Sequence, residues 1–401
     1  MNGRITGSGF FLKVLIISIL VMSLSSCSKK KSRNDTAAAG STTASAEIAC
    51  TSIKMTPTPT PAHLHEKQSI LTGEWIDSSV IEKRPFAVMF NNIEFANPQS
   101  GISEADILYE ALAEGGITRL MGIIGSISED SPAADRLGSV RSARHYYVSI
   151  ADEYDAIFVH FGETTYATKK MKELGIDHIT GMYGAGVSAF YRDKTIKAPH
   201  NAFATLEGLN NAVAKAGYRT DYMDNYSTHF LFYEEDTPLC GDIPICSTIQ
   251  KQLTVTDISS ENSCNAGNVK SADRITLGFS DYQTPYFTYD LKTKTYLRFQ
   301  FGGPHIDYNT GKQLSFKNII IEYVEEKNKD KNGYQTIDFE DASGSGFYIT
   351  DGQYVPITWT KNEKKRYMRY FDETGNELTV NPGKTYIAVY PLSRQKHLII
   401  E

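Results

Sequence analysis

The pattern of apolar residues changes near the middle of the chain, and this change limits the folds that the chain can adopt. From 84 to 225, short apolar runs of strand type alternate with helical segments, two of which stop at Gly175 and Gly217. In the second half, short strand-like runs follow one another, separated by turn-forming pairs such as Asp-Gly and Pro-Gly. We therefore expect an α+β or α/β fold, with a mixed, layered α/β domain at 67–228 followed by a mostly antiparallel β domain at 229–401.

The N-terminus has the pattern of an export signal. A basic region precedes an apolar run at 14–24 that only two serines interrupt. This run of 11 residues is too short to cross a membrane, which takes about 20 apolar residues. The Leu-Ser-Ser-Cys sequence at 24–27 resembles a lipobox, in which the cysteine receives lipid and the preceding bond is cut. We expect 1–26 to be a cleaved signal peptide and Cys27 to be lipidated; the alternative is an ordinary signal peptide.

The segment after Cys27 has the composition of a tether. It is rich in Ala, Ser and Thr and contains a Thr-Pro repeat at 56–61. Such a composition cannot fill a core, and the repeat favours an extended chain. We expect 27–66 to be disordered and to hold the folded part on the outer face of the cytoplasmic membrane. No later run reaches spanning length, so the lipid is expected to be the sole anchor.

Net charge and cysteine spacing restrict the partners. The chain carries a formal charge of −6, which argues against a nucleic-acid partner. Cys240, Cys246 and Cys264 lie in a polar segment at 240–268 that we interpret as a surface insertion. Without close CxxC pairs a zinc site is not expected, and a disulfide between two of these three is, with the pairing open. Cys50 is either the partner of the third cysteine or free.

Motifs across both halves resemble those of the YerB-like family of bacterial lipoproteins. In the first half the matching segments are 84–92, 98–101, 109–110, 114–121, 140–144, 154–156, 175–178, 190–193 and 197–201. In the second half they are 304–307, 356–359 and 381–384. The resemblance implies a lipoprotein with an N-terminal and a C-terminal YerB-type domain in that order. The family's biochemical function is unknown, so no catalytic residues follow from it, and the insertion at 240–268 lies outside the match.

The first half also holds the densest group of polar residues. A helix is predicted from an N-cap at Ser139 to about Asp152. On this helix Arg141 and Arg144 share a face near the N-terminus, where free N–H groups and the helix dipole favour an anion. Two guanidinium groups there are expected to bind a carboxylate or a phosphate.

Three further residues, His160, His200 and Asn201, are candidates for the same ligand site because they stand at predicted strand or loop ends. The alternative for the two arginines is that they pair with a carboxylate of their own domain, such as Glu110 or Glu114. The first interpretation predicts guanidinium groups that are available to a ligand. The alternative predicts guanidinium groups that are paired with a carboxylate.

Glu110, Glu114 and Glu163 are the candidate acids or bases. If the first two lie on one strand, they face the same side about 13 Å apart. This exceeds the roughly 5–9.5 Å between the carboxyl groups of glycosidases, so a mechanism that uses this pair alone is not expected. A single glutamate acting as an acid remains open.

Three histidines with a nearby carboxylate could bind zinc. However, His160, His178 and His200 are separated by 18 and 22 residues, which matches no compact metal motif. Each histidine is as compatible with a hydrogen bond to a backbone carbonyl. We therefore predict no metal and no cofactor.

Two classes of function follow. The first is a lipid-tethered module that binds a cell-wall component or an envelope protein. The alternative is a hydrolase or lyase that acts on the wall or on an anionic substrate, with its site in the α/β half. A cleft that gathers Arg141, Arg144, His160 and His200 would indicate a ligand site, whereas their dispersal would exclude a shared one.

Overall fold

The computed structural model describes residues 63–239, 269–331, 333–335, 337, 341–362 and 365–401. The predicted signal peptide, Cys27, Cys50, most of the tether and the insertion at 240–268 lie outside these residues. The last residues of the predicted tether are described, and Glu66 begins the first strand.

Three helices and twenty-four strands occur in the described residues. The helices are α1 (His145–Glu153), α2 (Thr165–Leu174) and α3 (Leu206–Ala216). The strands of the first half are β1 (Glu66–Gln68), β2 (Trp75–Asp77), β3 (Phe86–Asn92), β4 (Ile107–Leu112), β5 (Thr118–Ile124), β6 (Leu137–Gly138), β7 (Ile157–His160), β8 (His178–Thr180), β9 (Phe190–Arg192) and β10 (Ala202–Ala204). Those of the second half are β11 (Leu231–Phe232), β12 (Lys270–Ser271), β13 (Arg274–Leu277), β14 (Tyr286–Asp290), β15 (Thr295–Gln300), β16 (Gly303–Pro304), β17 (Ser315–Phe316), β18 (Asn318–Val324), β19 (Ala342–Thr350), β20 (Gln353–Asn362), β21 (Lys365–Phe371), β22 (Thr379–Val380), β23 (Thr385–Pro391) and β24 (Leu398–Ile400).

One mixed sheet contains strands from both halves of the chain. Its order among the described strands is β12-β20-β19-β18-β23-β4-β5-β3-β7-β8, and β21 pairs with β20. The halves meet where β23 pairs in parallel with β4, so that Ile387 lies opposite Tyr109. The boundary predicted at 228 thus falls between two segments that contribute to a single sheet.

Two apolar cores lie on opposite faces of this sheet because successive side chains of a strand alternate between its faces. On one face, Tyr146 and Tyr147 of α1 belong to the same core as Met89 of β3. On the other face, Val88 shares a core with Phe287 of a second, antiparallel sheet, whose order is β16-β15-β14-β13-β24 with β17 beside β15. Few helices and many strands in mixed sheets confirm the α+β class.

Two helices have the ends that the sequence predicts. The side chains of Thr164 and Thr205 accept hydrogen bonds from the first turns of α2 and α3. Gly175 and Gly217 end these helices with φ of 66° and 70°, a left-handed conformation that favours glycine.

The prediction of a helix from Ser139 is wrong at its start. Helix α1 begins at His145, with Arg144 in the N-cap position. The preceding residues form an extended chain because their N–H groups bond to other segments. Val140 donates to Ala202 and Arg141 to Met89. Arg141 and Arg144 therefore share no helix face.

Within the described part of the chain, no helix combines the length and the apolar character needed to cross a bilayer.

Candidate functional site

Arg119 lies at the start of β5, where the neighbouring strands β3 and β4 end. It is directly opposite Asn91 on β3 and Ala111 on β4. Directly opposite residues of antiparallel strands place their side chains on the same face of the sheet. The side chain of Arg119 therefore lies beside that of Asn91 at the end of both strands.

The guanidinium of Arg119 is buried and incompletely hydrogen-bonded. The residue is 3% exposed, and its Nε and Nη1 have no partner among the described residues. Leaving a buried donor unpaired costs about 1–3 kcal/mol, and more when the group is charged. Burial, followed by repulsion from Arg144 and Arg141, lowers its pKa to about 9. The group thus stays cationic at neutral pH, and the attraction of Glu114 only partly offsets the burial and the repulsion from the two other arginines.

Arg141 approaches from the extended segment before α1. Its Nη1 donates to the carbonyl of Pro199 at 3.1 Å, and its Nε is buried without a partner among the described residues. Burial and then the positive charges of Arg144 and Arg192 lower its pKa. Arg141 is therefore a second guanidinium with an N–H donor, at Nε, that has no partner among the described residues.

Arg144 is paired, as the alternative interpretation predicted. Its Nε and Nη2 each donate to one carboxylate oxygen of Glu114 at 2.5 Å. Burial lowers the pKa of Arg144, but this bidentate contact outweighs it and raises the pKa overall. Glu114 lies in a short 3₁₀ turn, Glu114–Gly116, between β4 and β5. The expectation that Glu110 and Glu114 share a strand is therefore wrong.

His200 and Asn201 belong to the loop that follows β9. Nδ1 of His200 accepts a hydrogen bond from Nδ2 of Asn91 at 2.9 Å. Burial, and then Arg141, Arg119 and Lys197, lower its pKa, so the ring is neutral at pH 7. Asn201 instead holds the loop, because its Oδ1 accepts from Arg192 and its Nδ2 donates to the carbonyl of Asp193.

An exposed aromatic ring completes this surface. Phe95 is 59% exposed and meets the ring of His200 edge to face, with the ring centroids 5.7 Å apart. One exposed apolar side chain is ordinary on a protein surface, but this ring lies beside His200 and can pack against an apolar part of a ligand bound there.

We call Arg119, Arg141 and Arg144 the arginine cluster. In the described residues, the carboxylate hydrogen-bonded to its side chains is that of Glu114. One carboxylate and three guanidinium groups leave an excess of positive charge at a partly buried place, although the whole chain is acidic. An oxyanion is the ligand that this arrangement favours.

His160 is not part of the arginine cluster. Its Nε2 lies 3.0 Å from Nδ1 of His178, and its Nδ1 lies 3.0 Å from the carbonyl of Gly162. Glu163 is nearby, with one oxygen 3.6 Å from the same Nδ1 of His160 and the other accepting from the hydroxyl of Tyr183. Of the four residues proposed for a shared site, Arg141, Arg144 and His200 thus belong to one set of interactions, whereas the ring of His160 bonds to His178 and Gly162.

Glu110 belongs to the interior. It is fully buried, and Arg298 and Tyr386 each donate to its Oε2 at 2.6 Å. Asn92 and Thr118 donate to its other oxygen. The four hydrogen bonds occupy both oxygens of the carboxylate, so Glu110 is not available as an acid or base. Because two partners come from each half of the chain, Glu110 links the two halves.

In the described part of the chain, no group of three or more His, Cys, Asp or Glu side chains is arranged to hold a metal ion. His160 and His178 are adjacent, but His200 pairs with Asn91 and does not join them.

Comparison with known proteins identifies the family. The N-terminal domain of a family of proteins of unknown function, DUF3048, matches residues 71–219, and its C-terminal domain matches residues 275–387. "Putative lipoprotein YerB" of Bacillus subtilis (strain 168) is 31% identical over 322 residues, which cover 80% of this chain and 85% of that protein. The chain belongs to this family.

A solved structure supports the same assignment. The crystal structure of the YerB protein from Bacillus subtilis is similar to this chain with a TM-score of 0.64 and 28% sequence identity, over 83% of this chain and 99% of that one. The YerB resemblance inferred from the motifs is confirmed.

Sequence reasoning missed Arg119, the least satisfied member of the cluster. A signal was present, since Arg119 is the charged residue within the apolar strand pattern at 117–124. A charged side chain on a buried strand needs a hydrogen-bonding or ionic partner. The sequence pattern did not identify such a partner for Arg119.

Proposed function

We propose that this protein is a lipid-anchored envelope protein whose arginine cluster binds an anionic group of a cell-wall component. The unpaired, buried guanidinium of Arg119 is the observation that carries this proposal. A buried cation with two unpaired donors and a local excess of positive charge destabilises the ligand-free state, and an oxyanion that accepts from Nε and Nη1 reduces this cost.

The surroundings define the ligand further. Arg141 offers a second free Nε, so a carboxylate, phosphate or sulfate group can accept from two guanidinium groups at once. Phe95 stands exposed beside His200 and can cover an apolar part of the same ligand. Cell-wall polymers contain carboxylate and phosphate groups together with sugar rings whose C–H faces are apolar. They therefore fit this combination of guanidinium groups and an exposed aromatic ring.

The binding role is favoured over the hydrolase or lyase role. Glu110 is saturated by four donors, and Glu114 is held by Arg144. A general acid or base must reach the proton that it transfers. Neither carboxylate has a free approach to a group bound at Arg119, whereas the cluster needs no further residue to bind an anion.

The experiment is a calorimetric titration of the full chain, purified in a mild detergent, with sodium sulfate at constant ionic strength. We expect saturable binding that falls at least about tenfold, or 1.4 kcal/mol, in Arg119→Met. Arg274→Met is the matched control, because Arg274 lies over the ring of Tyr286 in the second sheet. Equal sulfate binding by Arg119→Met and the natural chain, or no saturable binding, would contradict the proposal.

The anchor is tested separately in cells. Cys27→Ser is expected to release the protein from the membrane fraction and to abolish incorporation of a labelled fatty acid. Cys50→Ser, a cysteine of the predicted tether, serves as the control and should keep the label. Retention of the label in Cys27→Ser would contradict lipidation at this residue.

A further inference from the structure

A cavity of about 450 Å³ lies beside strand β8, and its lining contains none of the residues of the arginine cluster. Its walls come from β8, from the 3₁₀ helix Gly184–Ala189 and from the C-terminal end of α3. This volume falls within the roughly 300–1,000 Å³ of small-molecule sites. Two tyrosines, Tyr183 and Tyr218, line it together with His178.

Each of these three side chains is held by a hydrogen bond, two of them to residues that do not line the cavity and one to the backbone of a residue that does. The hydroxyl of Tyr183 donates to Glu163 at 3.0 Å, and that of Tyr218 donates to the carbonyl of His178 at 3.1 Å. The ring of His178 is held by His160. Walls that are fixed before a ligand arrives reduce the entropy that binding must overcome.

The hydrogen bonds also fix which nitrogen of His178 carries the proton. The carbonyl of Gly162 and the carboxylate of Glu163 both face Nδ1 of His160, and both can only accept. Nδ1 of His160 is therefore the protonated nitrogen. Burial lowers the pKa of His160 to about 3, so the ring is neutral and its Nε2 accepts from Nδ1 of His178. Burial lowers the pKa of His178, so its ring is neutral and Nε2 is left as a hydrogen-bond acceptor.

Two glycines of the 3₁₀ helix also line the cavity. A Cβ on Gly186 would lie 2.5 Å from the carbonyl oxygen of Thr180, so this position cannot carry a side chain without moving strand β8. Nothing lies within 4 Å of a Cβ built on Gly184. The lining of the cavity therefore combines two tyrosines, glycine backbone and the exposed Lys215.

We propose that this cavity binds a sugar ring of the N-acetylhexosamine type. The apolar C–H face of such a ring packs against an aromatic side chain, and its hydroxyl groups donate to the acceptor Nε2 of His178. Lys215 donates to a ring or acetyl oxygen. This site is separate from the arginine cluster and goes beyond the proposed anion binding.

The test is a titration of the full chain in detergent with the β-1,4-linked tetramer of N-acetylglucosamine. We expect saturable binding that weakens at least about tenfold in Tyr183→Ala. This residue is 47% exposed, so the variant should fold. Tyr282→Ala, at 48% exposure, is the matched control and should bind as the natural chain does.

A second variant tests the acceptor. In His178→Asn the amide N–H can still donate to His160, but no acceptor remains in the place of Nε2, and we expect a similar loss. Absence of saturable binding, unchanged binding by Tyr183→Ala, or tighter binding of adenosine than of the sugar would overturn the proposal. Arg119→Met should keep the sugar affinity, which separates this test from that of the arginine cluster.

Discussion

Two buried arginines of the main body of the protein differ in what surrounds them. Arg298 is fully buried, and its Nη2 donates to the carboxylate of Glu110 at 2.6 Å. Its Nη1 donates to Gln300 at 2.9 Å and to His305, while its Nε has no partner among the described residues. Arg119 is almost as buried, yet the charged groups that act most strongly on it are two other arginines.

The difference indicates that Arg298 stabilises the fold, whereas Arg119 is suited to bind a ligand. Glu110 joins Arg298 of the second half to Asn92 and Thr118 of the first, so the ion pair fixes how the two halves meet. A buried cation with no such carboxylate gives nothing to the fold and lowers its stability. We infer that Arg119 serves ligand binding, and four predictions test this difference between the two arginines.

The largest effect is expected when the structural pair is broken. Arg298→Met leaves the carboxylate of Glu110 buried without its cation, and we expect the free energy of unfolding to fall by about 3–5 kcal/mol. Chemical denaturation of the full chain measures this. Adding Glu110→Gln to the same variant should restore part of the loss, and a change below about 1 kcal/mol would remove the contrast with Arg119.

The second prediction gives Arg119 a carboxylate. Asn91 is directly opposite Arg119 on the same face, so Asn91→Asp places a negative charge there with no change in size. We expect sulfate affinity to fall at least about tenfold, which is 1.4 kcal/mol, because the new carboxylate competes for the guanidinium. Asn97→Asp, in the turn after β3, is the control. Unchanged sulfate affinity in Asn91→Asp would show that the anion binds elsewhere.

The third prediction concerns stability without a ligand. Arg119→Met removes a buried charge that is only partly compensated and keeps much of the side-chain volume, so the unfolding free energy should rise by about 1 kcal/mol. Sulfate should reverse this order, because it stabilises the natural chain alone. A loss of stability in sulfate-free buffer would mean that Arg119 serves the fold, as Arg298 does.

The elements that local pattern determines could be predicted. Strand β3, the hairpin of β4 and β5, and the ends of α2 and α3 at Gly175 and Gly217 follow from short apolar runs and from the positions of turn residues and glycines. These features depend on residues that are neighbours in sequence.

The start of α1 could not be predicted, because residues distant in sequence determine it. Ser139 has a good capping side chain, but Val140 and Arg141 use their N–H groups in bonds to Ala202 and Met89. These tertiary bonds hold the segment extended and move the helix start to His145.

The candidate site was predicted in part for a similar reason. Sequence reasoning named Arg141, Arg144 and His200, and it also gave Glu114 as the alternative partner that Arg144 has in the structure. It missed Arg119, since the register of β5 against β3 decides what lies next to that side chain. Whether a charge is paired depends on strand register, which the pattern of a single strand does not give.

The smallest expected effect concerns pH and His200. Burial and the neighbouring cations lower its pKa from the ordinary value, so the folded state binds this proton less tightly than the unfolded state. Its contribution to stability is therefore lost as pH falls below about 6.5. A bound anion favours the protonated ring, and we expect sulfate, whose charge is constant here, to bind about threefold more tightly at pH 5.5 than at pH 7.

His200→Asn tests this coupling, because its side-chain oxygen can still accept from Asn91 but cannot take up a proton. The pH dependence of sulfate affinity should vanish in this variant and persist in His65→Asn, which changes an exposed histidine outside the site. If sulfate affinity falls with decreasing pH, or if His200→Asn keeps the dependence, His200 is not beside the bound anion. The ligand would then contact Arg119 from a side that His200 does not face. The difference between Arg119 and Arg298 would still hold, but it would depend only on the partners of their guanidinium groups.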